Sequence, residues 1–135
     1  MILVVSGAYG VPLLGTAEKL VGPLGLSIIE VGEEESAGEL RQRIKEAIEG
    51  SAQVDSVLLL TDLYGSTPAN VCLSLLSEYP GSEMIAGINL AMLIKLSTCE
   101  RSLSAGSLAH ELQRTAQRSI QLGLDFLRKG GPCSD

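Results

Sequence analysis

Short apolar runs alternate along this chain with stretches in which apolar residues recur every three or four positions. Ile2–Val5 is continuous and rich in β-branched residues, the pattern of a strand buried on both faces. Pro12–Val21 carries apolar positions at helical spacing and is stopped by Gly22-Pro23. Leu26–Val31 reads as a second strand closed by Gly32. Ser36, with Glu39 three residues on, has the form of a capping box that opens a helix running to about Ile48, with Gly50 as its stop. Val54–Leu60 is a third strand, apolar on both faces, and Pro68–Glu78 a helix ended near Pro80-Gly81. Met84–Ile88 is a fourth strand and Leu90–Leu96 a short apolar helix. Ser104–Leu127 is mostly helix, with Leu108, Leu112, Ile120 and Leu124 on one stripe and Gly106 and Gly123 weakening its ends. Residues 130–135 read as a frayed tail, which leaves 1–129 as one domain.

The order β-α-β-α-β-α-β-α predicts an α/β fold: a doubly wound, mainly parallel four-stranded sheet in the order 2-1-3-4, with helices on both faces in three α/β/α layers. Such sheets bind ligands where the winding reverses, at the carboxyl ends of strands one and three. Two loops fall there. The first is Ser6-Gly7-Ala8-Tyr9-Gly10; the second is Thr61-Asp62-Leu63-Tyr64-Gly65-Ser66-Thr67-Pro68-Ala69-Asn70.

Composition narrows the function. A chain of 135 residues, 45% hydrophobic, has material for one domain with a real core. The net charge of -6 argues against nucleic acid, which calls for a basic stripe. The cations Arg41, Arg43, Lys45, Arg114 and Arg118 sit at helical spacing and read as solvated helix faces. No apolar run reaches the ~20 residues of a membrane span, and Met1 leads into the first strand without a basic n-region. A cytoplasmic protein with no direct membrane insertion is expected. Cys72, Cys99 and Cys133 match no metal or redox spacing; they read as reduced thiols, Cys72 buried and Cys133 exposed. No cofactor and no metal are expected.

In the second loop, Thr67 reads as an N-cap and Pro68 as the first helical residue, where its missing N–H costs nothing. The free N–H groups and the macrodipole then attract an anion, with hydroxyls from Ser66 and Thr67 as further donors and Gly65 allowing close approach. The bland reading is an ordinary capped helix; the position opposite Gly7 and Gly10 favours the functional one. Asp62, ending the third strand, is placed to orient a histidine, accept a phosphoryl group, or simply cap the loop. Asn70, one turn into the helix, is placed to tie the loop together.

These segments resemble the mannose-family IIA component of the phosphoenolpyruvate-dependent phosphotransferase system, the type-4 IIA domain. That family ends its first strand in Gly-x-His-Gly; here Gly7-Ala8-Tyr9-Gly10 stands. Its Asp-x-x-Gly-Gly-Ser-Pro-x-Asn segment resembles Asp62, Gly65, Ser66, Thr67, Pro68 and Asn70. Its fourth strand resembles Ile85-Ala86-Gly87-Ile88-Asn89-Leu90-Ala91-Met92-Leu93. The resemblance implies a histidine that takes a phosphoryl group from phospho-HPr and passes it to a IIB component. It implies that Asp62 matches the residue orienting that histidine and Thr67 a hydroxyl holding the phosphate. It also implies a homodimer whose C-terminal segment packs on its partner.

Tyr9 stands where the family's histidine is expected, and the only histidine, His110, falls in the last helix, away from both loops. A phenol with a pKa of about 10 is a weak nucleophile at neutral pH, and an aryl phosphate is a poor onward donor. The expectation is a IIA homologue unable to relay phosphate, serving as a regulatory or binding module. Its alternative is an active transferase using Tyr9, Asp62 or a partner's histidine. Tyr9 is placed to hydrogen-bond Asp62, to leave the anion site open to a free ligand, or to pack over the switch point. A receiver domain would need acids after strand one to hold Mg²⁺, where Gly7-Ala8 stands. A flavin carrier would need a hydroxyl-rich first loop and more than 3% aromatic residues.

Overall fold

The computed structural model describes residues 1–52 and 54–130. Its elements are β1 (Ile2–Ser6), α1 (Gly10–Val21), β2 (Ser27–Glu30), α2 (Ala37–Glu49), β3 (Leu58–Thr61), α3 (Thr67–Leu75), β4 (Glu83–Ala86), α4 (Leu90–Leu96), α5 (Ala105–Arg118) and α6 (Gly123–Arg128). The sheet is parallel in the order β2-β1-β3-β4. Its register sets Leu3 beside Ser27 and Leu59, and Leu59 beside Met84.

Alternation along the strands sorts the core into two layers. Ile2, Val4, Leu58 and Leu60 point to a face covered by α1, α4 and α5 through Ala17, Met92, Leu93, Leu96, Leu108 and Leu112. Leu3, Val5 and Leu59 point to the other face, covered by α2 and α3 through Leu40, Ile44, Ile48, Val71, Cys72 and Leu75. β1 and β3 are buried at every position, which is why they read as unbroken apolar runs. The fold class, strand order and two-sided covering are as the sequence predicts.

Boundaries differ where local bonding decides. α1 starts two residues early, since Pro12 fits within its first turn, where N–H groups lack helical partners anyway. The third strand begins at Leu58, and Val57 lies outside it while its carbonyl accepts from Glu83 N–H (3.0 Å). The fourth strand ends at Ala86. Gly87 there takes φ +99°, and its N–H and that of Ile88 both turn to the Thr61 carbonyl (3.0 Å each). α3 ends at Leu75, short of Glu78.

The largest departure is in the final helix, which is two helices. Ser119 Oγ donates to the Ala116 carbonyl (2.6 Å), and the N–H of Ile120 reaches back only three residues, to Gln117 (3.4 Å). This tightening closes α5 before α6 begins. Leu108 and Leu112 are buried as the stripe requires, but Ile120 and Leu124 are exposed. Of the expected 130–135 tail, residues 131–135, and Cys133 with them, lie outside the described residues.

Candidate functional site

The two loops meet at the carboxyl ends of β1 and β3. The Gly7 N–H donates to Asp62 Oδ2 (3.1 Å), while Asp62 Oδ1 accepts from its neighbour's N–H, Leu63 (2.9 Å). One carboxylate thus ties the first loop to the second and fixes the turn out of β3. Ser6 is fully buried at the end of β1, and α1 packs directly on it. A Cβ added at Gly10 would fall far inside contact distance of the Ser6 side chain, so only glycine lets the helix start so close to the strand.

The second loop is built around a cap. Gly65 takes φ +84°, the left-handed region. The N-cap is Ser66, not Thr67: Ser66 Oγ accepts from the Ala69 N–H (3.3 Å), Thr67 is the first helical residue and Pro68 the second. The shift follows from backbone geometry, since Ser66 is extended (φ -70°, ψ 163°) and its carbonyl already accepts from the Asn70 N–H (2.9 Å). Asn70 Nδ2 donates back to the Gly65 carbonyl (3.4 Å), closing the loop as expected.

Tyr9 is half exposed and does not bond Asp62. Its hydroxyl donates instead across the sheet end to the Ile88 carbonyl (3.4 Å). Ile88 sits between Gly87 and Asn89, and Asn89 caps α4 by accepting from the Met92 N–H (2.9 Å). Tyr9 therefore fastens the first loop to the turn after β4, and Asp62 keeps its two backbone partners. Gly7, Tyr9, Gly10 and Asp62 gather at the switch point, with Gly65, Ser66, Thr67, Pro68 and Asn70 in the adjoining cap. Among the described residues no hydrogen bond links Tyr9 to Ser66 or Thr67.

Packing adds a residue that periodicity assigned to solvent. Thr67 and Asn70 share a shallow hollow of about 400 Å³ with Arg41 of α2. Arg41 donates to Ser74 Oγ (3.1 Å) and pairs with Glu78. Only the contact of α2 with α3 brings this cation beside the second loop; nothing in its sequence spacing signals it. His110 is exposed on α5 and lines, with Tyr64 and Asn89, a groove of about 540 Å³ beside β4. No set of His, Cys, Asp and Glu side chains among the described residues is arranged to hold a metal ion.

Residues 1–113 match the family described as the phosphotransferase-system fructose IIA component. The chain belongs to this family. As a IIA-family chain it is 29% identical over 90 residues to the fructose-specific EIIA component of Bacillus subtilis (strain 168). That match takes in 67% of this chain and only 62% of the relative's length. Its fold is shared with the mannose/sorbose-specific IIA subunit of Enterococcus faecalis, at TM-score 0.81 and 25% identity over 90% of this chain and 92% of the other. It is shared also with the IIA protein associated with the fucose utilization operon of Streptococcus pneumoniae, at TM-score 0.77 and 26% identity over 93% and 94%. No helix among the described residues is long and apolar enough to cross a membrane.

Proposed function

We propose that this IIA-family chain does not relay phosphate and acts as a cytoplasmic regulatory or protein-binding member of the phosphotransferase system. The observation that carries the reading is Tyr9: a tyrosine, its hydroxyl held by the Ile88 carbonyl, occupies the loop position where the family resemblance expects a phosphorylated histidine. A relay residue must accept and release phosphate with little free-energy change. A phosphoimidazole satisfies this; an aryl ester does not, and a phenol needs a base that Asp62, turned to Gly7 and Leu63, does not provide. His110, exposed on α5, lines the groove beside β4 with Tyr64 of the second loop and Asn89, and that groove's lining does not include Tyr9 or Asp62.

What is retained fits a docking role. Tyr9, Val11, Leu63 and Tyr64 are exposed around the loops and present apolar surface to a protein such as HPr or a IIB component. The α3 cap, with Ser66, Thr67 and nearby Arg41, retains the elements of an anion site. The resemblance also implies a homodimer. β4, the last strand of the sheet, lies beside the α5 groove and gives a second copy a place to pair.

The test is phosphorylation by enzyme I, HPr and labelled phosphoenolpyruvate, with the native chain beside Tyr9→His. The expected result is an unlabelled native chain and acid-labile label on Tyr9→His. Label on the native chain overturns the proposal, acid-stable if on Tyr9 and with acyl-phosphate lability if on Asp62.

A further inference from the structure

The loop from β2 into α2 and the outer face of α2 form a shallow hollow of about 690 Å³. Its wall holds four carboxylates, those of Glu34, Glu35, Glu39 and Glu46, against one cation, Arg43. None of these residues lines the β4–α5 groove. Glu35 is the buried member, with its side chain only 9% exposed, and it is held through one oxygen. Its Oε1 accepts from the Gly32 N–H (3.1 Å) and from Arg43 Nη1 (2.6 Å), while that same Nη1 also donates to the Glu30 carbonyl (3.2 Å). Oε2 is buried and accepts from no donor among the described residues. Such an orphaned oxygen costs free energy that a bound donor recovers. The acids around it are also uncompensated. Glu34 and Glu39 make no ion pair among the described residues, and Glu46 Oε1 accepts from the neutral Gln42 amide (3.0 Å). Glu39 and Glu46 share one face of α2, about 10 Å apart along its axis, with Glu35 one turn before Glu39.

We propose that this hollow binds a linear polyamine. One terminal ammonium donates to Glu35 Oε2, and the further ammonium groups follow the row of Glu39 and Glu46 along α2. The methylene segments lie on the aliphatic stems of Gln42 and Arg43. Oε2 is shut off from bulk water, so the ammonium enters as the exposed side chains of the wall swing outward. A metal ion fits less well, since no group of three His, Cys, Asp or Glu side chains among the described residues is arranged to hold one. A single lysine of a partner protein would satisfy Glu35 and leave the row on α2 unused; several ammonium groups on one short chain use both. The site is independent of the chemistry at Tyr9.

The experiment is calorimetric titration of the full chain with spermidine in low-salt buffer, with melting temperature read alongside. One equivalent is expected to bind and to raise the melting temperature of the native chain. Glu35→Gln is expected to weaken binding at least about tenfold, because a charge-assisted hydrogen bond is lost. Glu35 also holds Gly32 and Arg43, so a second variant separates binding from folding. Glu39→Gln, exposed and outside those contacts, is expected to weaken binding about threefold with little change in melting temperature. Glu33→Gln, exposed and outside the hollow, is expected to leave binding as it was. The proposal falls if spermidine gives neither heat of binding nor a melting shift. It falls too if Glu33→Gln weakens binding as much as Glu35→Gln, or if magnesium chloride at equal charge displaces spermidine, either of which would mean a diffuse cloud of counterions. Binding of a lysine-rich peptide without binding of spermidine would identify a partner protein as the occupant and overturn it as well.

Discussion

α5 and α6 carry one apolar stripe in the sequence and meet opposite fates in the structure. Leu108 and Leu112 of α5 lie against α4 and the sheet, in the layer with Leu60, Met92 and Leu93. Ile120, Leu124 and Leu127, beyond the break at Ser119, face solvent. Helical periodicity states that a face exists; it does not state that anything covers it. The difference comes from a single turn, where a serine hydroxyl and a three-residue hydrogen bond redirect the chain past the edge of the core.

The contrast can be broken by measuring each half. The largest effect is expected from Leu112→Ala. Its fully buried side chain leaves a cavity against α4, and unfolding by urea is expected to show a loss of about 2–5 kcal/mol. If Leu112→Ala costs no more than a surface change, α5 is not packed as described.

Burial also has a chemical reporter on the opposite layer. Desolvation pushes the Cys72 thiol up to about 12, against an ordinary value near 9, so the folded state holds its proton where the unfolded state has lost it. The contribution of this group to stability is therefore complete below about pH 9 and is lost as pH rises toward 12. Cys72→Val is expected to flatten the alkaline limb of the stability profile, and native Cys72 to resist thiol reagents at neutral pH until the chain is unfolded. Rapid labelling of the folded chain at Cys72 would contradict this.

A smaller effect separates a cap from a packed face. Ser104→Ala removes the hydroxyl that accepts from the Ser107 N–H (3.1 Å) at the start of α5, with an expected loss of about 1 kcal/mol in the same urea assay. Smallest of all is Leu124→Ser, expected to change stability by no more than about 0.5 kcal/mol because its side chain is already exposed. A loss comparable to that of Leu112→Ala would mean that α6 is covered in solution.

The site was legible to a similar depth. The loops after β1 and β3 could be placed at the switch point from element order alone, and the Gly7–Asp62 contact bears that out. The one-residue error at the α3 cap came from composition. Ser66 and Thr67 are both good caps, and Pro68 is tolerated at the first or the second helical position, so backbone dihedrals had to choose. The partner of Tyr9 was less accessible still. A bond to Ile88 depends on where the turn after β4 lies, and that turn is set by Gly87 and the Thr61 carbonyl rather than by the first loop. Arg41 shows the same limit, since its place beside Thr67 depends on how α2 lies against α3.

By itself the sequence determined the alternation of strand and helix, the strand order and the pair of loops at the switch point. It could do so because these follow from local periodicity and from the handedness of parallel crossovers, which few arrangements satisfy. It also placed Tyr9 in the first of these loops. Only the tertiary structure decided which carbonyl that tyrosine holds, that Ser66 rather than Thr67 caps α3, that Arg41 stands by Thr67, and that the last leucines are left uncovered. Each of these depends on two segments meeting through space, and the free energies that choose among such meetings are about one hydrogen bond or one buried side chain.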